Sequence, residues 1–150
     1  MGSSESWHAE AEWLRAAAPR HILFLCVANS ARSQLAEGIA RSLAPDGVRV
    51  SSAGSVPTAV RPQAVQVLEE IGIDISGQRS KGVGDVERPV DAVITLCGEE
   101  VCPVWLEAAH RLHWGLPDPA AVEGTEAEKL AAFRAVRDEL TKRLRVLFAR

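Results

Sequence analysis

No run of apolar residues in this 150-residue chain is longer than seven, at 22–28, whereas a helix needs about 20 to cross a bilayer, so a transmembrane helix is excluded. Charge of one sign is scarce too. Seventeen basic and twenty acidic residues leave a net charge of −3, too weak and of the wrong sign for a dedicated nucleic-acid binder. Any anion the chain binds must therefore be held locally. There is no internal repeat or low-complexity tract, and no basic stretch followed by an apolar one opens the chain, so the expected location is the cytoplasm. Met1, Gly2 and Ser6 match the loose pattern for N-terminal myristoylation, a match that chance also produces. Cysteine is rare and odd in number. Three thiols in a reducing compartment argue against a static disulfide framework and for reactive, metal-binding or plain buried thiols.

What is present suits one globular domain: the chain is 47% hydrophobic and 25% charged, enough to bury a sizeable core. Residues 1–19 read as a short helical extension, with Ser6 as its cap, Trp7, Trp13 and Leu14 as apolar positions and Pro19 ending it. The two tryptophans pack on their own domain in the favoured reading and dock on a partner in the other. From residue 20 to 150 the hydrophobic period alternates between that of a strand and that of a helix. Strands are expected at 21–25, 48–52, 90–96 and 111–116, and helices at 33–43, 63–71 and 126–148, with a further helix optional before the fourth strand. This α/β order implies a doubly wound, four-stranded parallel sheet flanked by helices. Its ligand would sit beyond the carboxyl ends of the strands.

The segment after the first strand carries the chemistry. Cys26, Val27, Ala28, Asn29, Ser30, Ala31, Arg32 and Ser33 connect that strand to its helix, beginning with a thiol and ending beside a guanidinium. Successive backbone N–H groups in a tight loop at a helix N-terminus make a concave anion site, from Val27 through Ser33 here, and the helix dipole adds partial positive charge. Arg32 would clamp two oxygens of a tetrahedral oxyanion. The same field favours a thiolate at Cys26, which Ser33 can stabilise with a hydrogen bond. Cys97 ends the third strand, which should neighbour the first, so Cys26 and Cys97 are expected to be close. Cys102 follows five residues later; pairing it with Cys97 would require that stretch to be a loop or to unwind, because a spacing of five on a helix splays the side chains about 140° apart. Zinc binding by Cys97 and Cys102 with His110 and His113, and simple burial of both thiols, are the competing readings. Asp118, between Pro117 and Pro119, sits after the fourth strand; His113 and Trp114 before it are expected to pack in the core.

The stretch Ile22-Leu-Phe-Leu-Cys-Val-Ala-Asn-Ser-Ala-Arg-Ser-Gln-Leu-Ala-Glu-Gly38 closely resembles the phosphate loop of arsenate reductases built on the low-molecular-weight tyrosine phosphatase fold. Ser52-Ala-Gly54, Gly72-Ile-Asp-Ile-Ser76, Thr95-Leu-Cys97, Cys102-Pro103 and His113-Trp-Gly-Leu-Pro-Asp-Pro119 extend the resemblance over about residues 20–148. The resemblance implies a three-cysteine relay: Cys26 attacks arsenate, Cys97 attacks Cys26 and releases arsenite, and Cys102 attacks Cys97 to leave a disulfide. Thioredoxin would recycle that disulfide, with glutaredoxin or a small thiol as the other reductants. Phosphate and sulfate would compete as oxyanions, and Asp118 would protonate the leaving oxygen. No tightly bound cofactor is expected, beyond a potassium ion that some relatives hold near the positions of Asn29 and Glu37. Two rivals remain at this point. One is a low-molecular-weight protein tyrosine phosphatase using Cys26, Arg32 and Asp118, against which stand Ala120 and Ala121 in place of a substrate-stacking aromatic residue. The other is a non-catalytic oxyanion or oxidant sensor read out through a disulfide.

Overall fold

The computed structural model describes residues 6–98 and 101–149. In chain order the elements are α1 (Ser6–Ala17), β1 (His21–Cys26), α2 (Arg32–Leu43), β2 (Arg49–Gly54), α3 (Pro62–Glu69), β3 (Ala92–Thr95), β4 (His110–His113) and α4 (Glu126–Leu147). Short 3-10 turns lie at Val83–Asp85 and Pro119–Ala121. The four strands form one parallel sheet in the order β2-β1-β3-β4.

All six residues of β1 are buried, which is why it reads as an unbroken apolar run and why it takes an interior place in the sheet. Its side chains alternate between the two faces. Ile22 and Phe24 join the larger core with Leu35 and Ile39 of α2, Val67 of α3, Phe133 and Leu140 of α4, and Trp7 and Leu14 of α1. Leu23 and Leu25 join a smaller core with Ala53, Val86, Val90, Val93 and Trp105. Among the described residues, this second face is covered by the Val83–Asp85 turn and the non-helical chain around Trp105, over whose ring the Arg88 guanidinium stacks at 4.7 Å. The optional helix before β4 is absent from the described residues: 101–109 carry no helix.

Most expected elements are found, with shifted ends. Helix α2 begins at Arg32, so the guanidinium itself opens the helix. Strand β2 runs on to Gly54, while β3 and β4 are shorter than expected, although Trp114 and Leu116 N–H groups still donate to the Thr95 and Leu96 carbonyls beyond the strand ends. Ser6, the first of the described residues, already lies within α1; Met1 and Gly2 lie outside the described residues. Core packing holds for Trp114, 1% exposed, but the expectation for His113 is corrected: alternation along the edge strand β4 turns it outward, where its ring meets Thr95 Oγ1 at 2.6 Å. Of the two α1 tryptophans, Trp7 is buried and Trp13 is half-exposed, with its ring edge-on to His110. The helix lies along α4, and Arg15 donates to the Val146 carbonyl.

A capping box starts α4, with Thr125 and Glu128 satisfying each other's backbone N–H groups. Farther along, Arg134 and Arg137 reach across to Glu70 at the end of α3, at 2.8 and 2.7 Å. Hydrogen bonds from Arg134, then Arg137, lower the Glu70 carboxyl to about 2. A carboxylate held below its unfolded value near 4.5 stabilises the fold above that value, and this contribution fades as pH falls towards 2. Glu70→Gln should therefore lower the denaturant midpoint at pH 7, with the gap to wild type closing on acidification; urea titrations at pH 7 and pH 3 measure both.

Candidate active site

At the carboxyl end of β1 the chain turns through residues 27–31 before α2 begins. Asn29 makes the turn possible by adopting φ 48°, a left-handed conformation that asparagine tolerates better than most residues. The carbonyls of this loop face outward: Val27 accepts from Val56 N–H, Ala28 from Thr58 N–H, Asn29 from the Ser80 hydroxyl, and Ser30 from Arg61 N–H. A planar peptide points its N–H opposite its C=O, so outward carbonyls turn the following N–H groups to the inner side. There they surround a cavity of about 200 Å³ lined by Cys26, Val27, Ala28, Ser30, Ala31, Arg32 and Asp118. Thus five of the seven residues expected to cradle an anion line the cavity. The side chains of the other two, Asn29 and Ser33, stand behind it, fully buried.

The position of the loop is set by Gly54 at the end of β2. A methyl group there would lie 2.3 Å from the Val27 carbonyl oxygen and 2.9 Å from both Asn29 N and Cys26 O, backbone atoms that cannot swing away. Arg32 is 3% exposed. Its Nη1 donates to the Leu116 carbonyl at 3.0 Å and reaches the Leu96 carbonyl at 3.4 Å, while Nη2 stands 3.9 Å from Asp118 Oδ2. Asp118 serves two ends at once: Oδ1 caps the Pro119–Ala121 turn through Ala120 N–H, and Oδ2 faces the guanidinium.

Behind the cavity the hydrogen bonds run in one direction. Buried Glu37 accepts the Ser52 hydroxyl proton, so Ser52 Oγ is left to accept, and it does so from Asn29 Nδ2 at 2.9 Å. The same amide donates its second proton to Ser33 Oγ at 2.7 Å. Asn29 Oδ1 meanwhile accepts from Lys81 N–H and Gln34 Nε2, which fixes the amide's orientation. Ser33 therefore has its own proton free for Cys26 Sγ, 2.8 Å away. The Cys26 sulfur thus receives a hydroxyl donor, a bond of the kind that strengthens when its acceptor is charged. Glu37 faces two cations among the described residues, Arg41 at 2.7 Å and Lys81 Nζ at 3.6 Å. A potassium ion beside Asn29 and Glu37 would add a third positive charge against a single buried carboxylate. These residues do not fit a resident ion.

Leu25 pairs with Thr95, so continuing the register sets Leu96 beside Cys26 and Cys97 one residue farther along. Cys97 is fully buried and bonded to Cys102 across a Cα separation of 5.6 Å, in a segment whose described residues are non-helical, as that pairing demands. In this state both sulfurs are used, and the alternative grouping with His110 and His113 has no thiol to offer. Cys26 is the free thiol.

The arrangement is a thiol at the floor of a backbone anion cradle, with an arginine at its rim and a carboxylate over its mouth. Residues 21–150 match the family model for low molecular weight phosphotyrosine protein phosphatases, and the chain belongs to that family. Within it, its likeness runs to proteins named arsenate reductase. One, from Halalkalibacterium halodurans, is 47% identical over 127 residues, covering 83% of this chain and 91% of the relative. A solved arsenate reductase in a phosphate-binding state is 36% identical with a TM-score of 0.71, over 87% of this chain and 97% of that one. A thioredoxin-dependent arsenate reductase from Corynebacterium glutamicum is 30% identical with a TM-score of 0.59, over 92% of this chain and 70% of that one.

Gln34, Ser80 and Lys81 hold the loop but escaped the sequence reading. Ser52 had a usable signal, since it lies at the carboxyl end of a strand inside a recognisable motif. Two measurements follow. Ser33→Ala removes the hydroxyl 2.8 Å from the Cys26 sulfur and should slow alkylation of Cys26 at pH 7 about tenfold, read by iodoacetamide labelling and mass spectrometry. Gly54→Ala overpacks backbone against backbone and should cost about 1–3 kcal/mol in a urea titration.

Proposed function

We propose that this protein reduces arsenate to arsenite by a three-cysteine relay. Arsenate lies in the cradle, held by the loop N–H groups and Arg32. Cys26 thiolate attacks arsenic and forms an S–As bond, while an arsenate hydroxyl takes a proton from Asp118 and leaves as water. Cys97 thiolate then attacks the Cys26 sulfur. The S–As bond breaks with its electron pair going to arsenic, which falls from the five-valent to the three-valent state and departs as arsenite. Cys102 attacks Cys97, freeing Cys26 and leaving the Cys97–Cys102 disulfide. Two thiols have become one disulfide, which supplies the two electrons that arsenic takes up.

The observation that carries this reading is the combination of a free Cys26 in an intact cradle with a bonded Cys97–Cys102 pair on the neighbouring strand end, the state in which the relay would finish. Phosphorus cannot accept electrons from thiols, so a phosphatase has no use for the second and third sulfurs. Nor does an aromatic side chain line the cavity among the described residues, which leaves a phosphotyrosine ring without a stacking partner. Thioredoxin is the reductant this reading favours, by analogy with the thioredoxin-dependent relative. Val101, Val104 and Leu106, each at least 70% exposed around Cys102, offer an apolar surface that a protein reductant can cover and a small thiol cannot use.

Fully reduced protein given excess arsenate without external reductant should lose two of its three thiols and release about one arsenite per chain. Three surviving thiols with slow hydrolysis of an aryl phosphate would overturn the relay in favour of the phosphatase. Cys97→Ser should abolish arsenite release and trap arsenic on Cys26, and unchanged turnover in that variant would remove Cys97 from the mechanism.

A further inference from the structure

Lys81 stands outside every helix and strand, next to the bridge that joins Gly54 to Gly82, yet it is tied at every polar atom. Its N–H donates to Asn29 Oδ1 at 2.8 Å, its carbonyl accepts from Gly54 N–H at 2.9 Å, and its ammonium donates to the Arg79 carbonyl at 2.9 Å while facing Glu37 Oε1 at 3.6 Å. The side chain is 19% exposed. Arg41, the other cation on Glu37, is 57% exposed and correspondingly screened by solvent.

An ammonium group has the charge of a potassium ion, a similar size, and the same taste for a carboxylate and a carbonyl as partners. We propose that Lys81 is the built-in cation of this site: its ammonium, facing the same Glu37 oxygen that accepts from Ser52, holds Glu37 as an acceptor and thereby sets the direction of the hydrogen bonds that end on Cys26, so that the cradle needs no added monovalent metal ion. Without Lys81 the carboxylate keeps Arg41 on Oε2, but Oε1, the oxygen to which Ser52 donates, has no cation left on it among the described residues. The pull of Oε1 on the Ser52 hydroxyl then weakens, and the order running from Ser52 through Asn29 and Ser33 to the sulfur is no longer held. Lys81 neither lines the cavity nor hydrogen-bonds the sulfur, so it is a positioning residue that acts through Glu37. The inference rests on the network around Cys26, whatever that sulfur attacks.

The test needs no arsenate. With Cys97 and Cys102 bonded, iodoacetamide reads Cys26 alone, and a thermal melt reads the fold. Wild-type protein should give the same alkylation rate and melting temperature in potassium chloride as in sodium chloride at equal ionic strength. Lys81→Met should alkylate about tenfold more slowly, and Lys81→Arg, which keeps the charge, should recover most of the rate. A melting temperature or alkylation rate of the wild type raised by potassium over sodium would overturn the proposal, as would a folded Lys81→Met that alkylates at the wild-type rate. If Lys81→Met does not fold, the wild-type salt comparison and the rate of Lys81→Arg decide, a rate below half that of wild type counting against the charge.

Discussion

Everything at the site hangs on the left-handed turn at Asn29. It reverses the loop so that carbonyls point out to 56–61 and 80 while amides point in, and its side chain then bridges Ser52, Ser33, Gln34 and Lys81. One residue therefore shapes the cradle by its backbone and links it, through Ser33, to the Cys26 sulfur by its amide. The rest of the fold supplies what this turn needs: a buried strand before it, a helix whose dipole begins after it, and a glycine in β2 that lets backbone meet backbone.

Fold and chemistry were legible in the sequence to different depths. The run 22–28, the helical spacing after Arg32 and the apolar segment around 92–95 announce a parallel sheet because a strand buried on both faces admits little but apolar residues. Cys26 and Arg32 stood out because a thiol and a guanidinium flank the loop between such a strand and a helix, and Asp118 because two prolines hold it. The supporting shell was less visible. Lys81 and Gln34 are ordinary polar residues in sequence, and their roles come from a long-range bridge that no local period encodes. Glu37 was noticed through the family resemblance as a cation ligand, but the cations it meets are side chains of this chain, Arg41 one turn along α2 and Lys81 from a distant loop. His113 misled because the sequence gives no sign that β4 is an edge strand with one face in water.

The three sulfurs sit in different surroundings, and the proposed order of attack follows that gradient. Cys26 is buried on the cavity floor, Cys97 is buried at the end of the adjacent strand, and Cys102 is half-buried in a non-helical segment flanked by exposed apolar side chains. Oxidation would pass from the most enclosed position to the most accessible one, leaving the anion loop in its original geometry while an external reductant works elsewhere.

Arg32 adds a constraint of another kind. Its guanidinium faces the cavity, yet its hydrogen bonds go to the Leu96 and Leu116 carbonyls, just beyond the ends of β3 and β4. A single-headed ammonium could carry the charge but could not also bind both carbonyls while presenting a flat fork to an oxyanion. The proposed recognition of the anion and the closure of the sheet's rim would therefore be inherited as one trait: a lineage could not trade away the first without loosening the second.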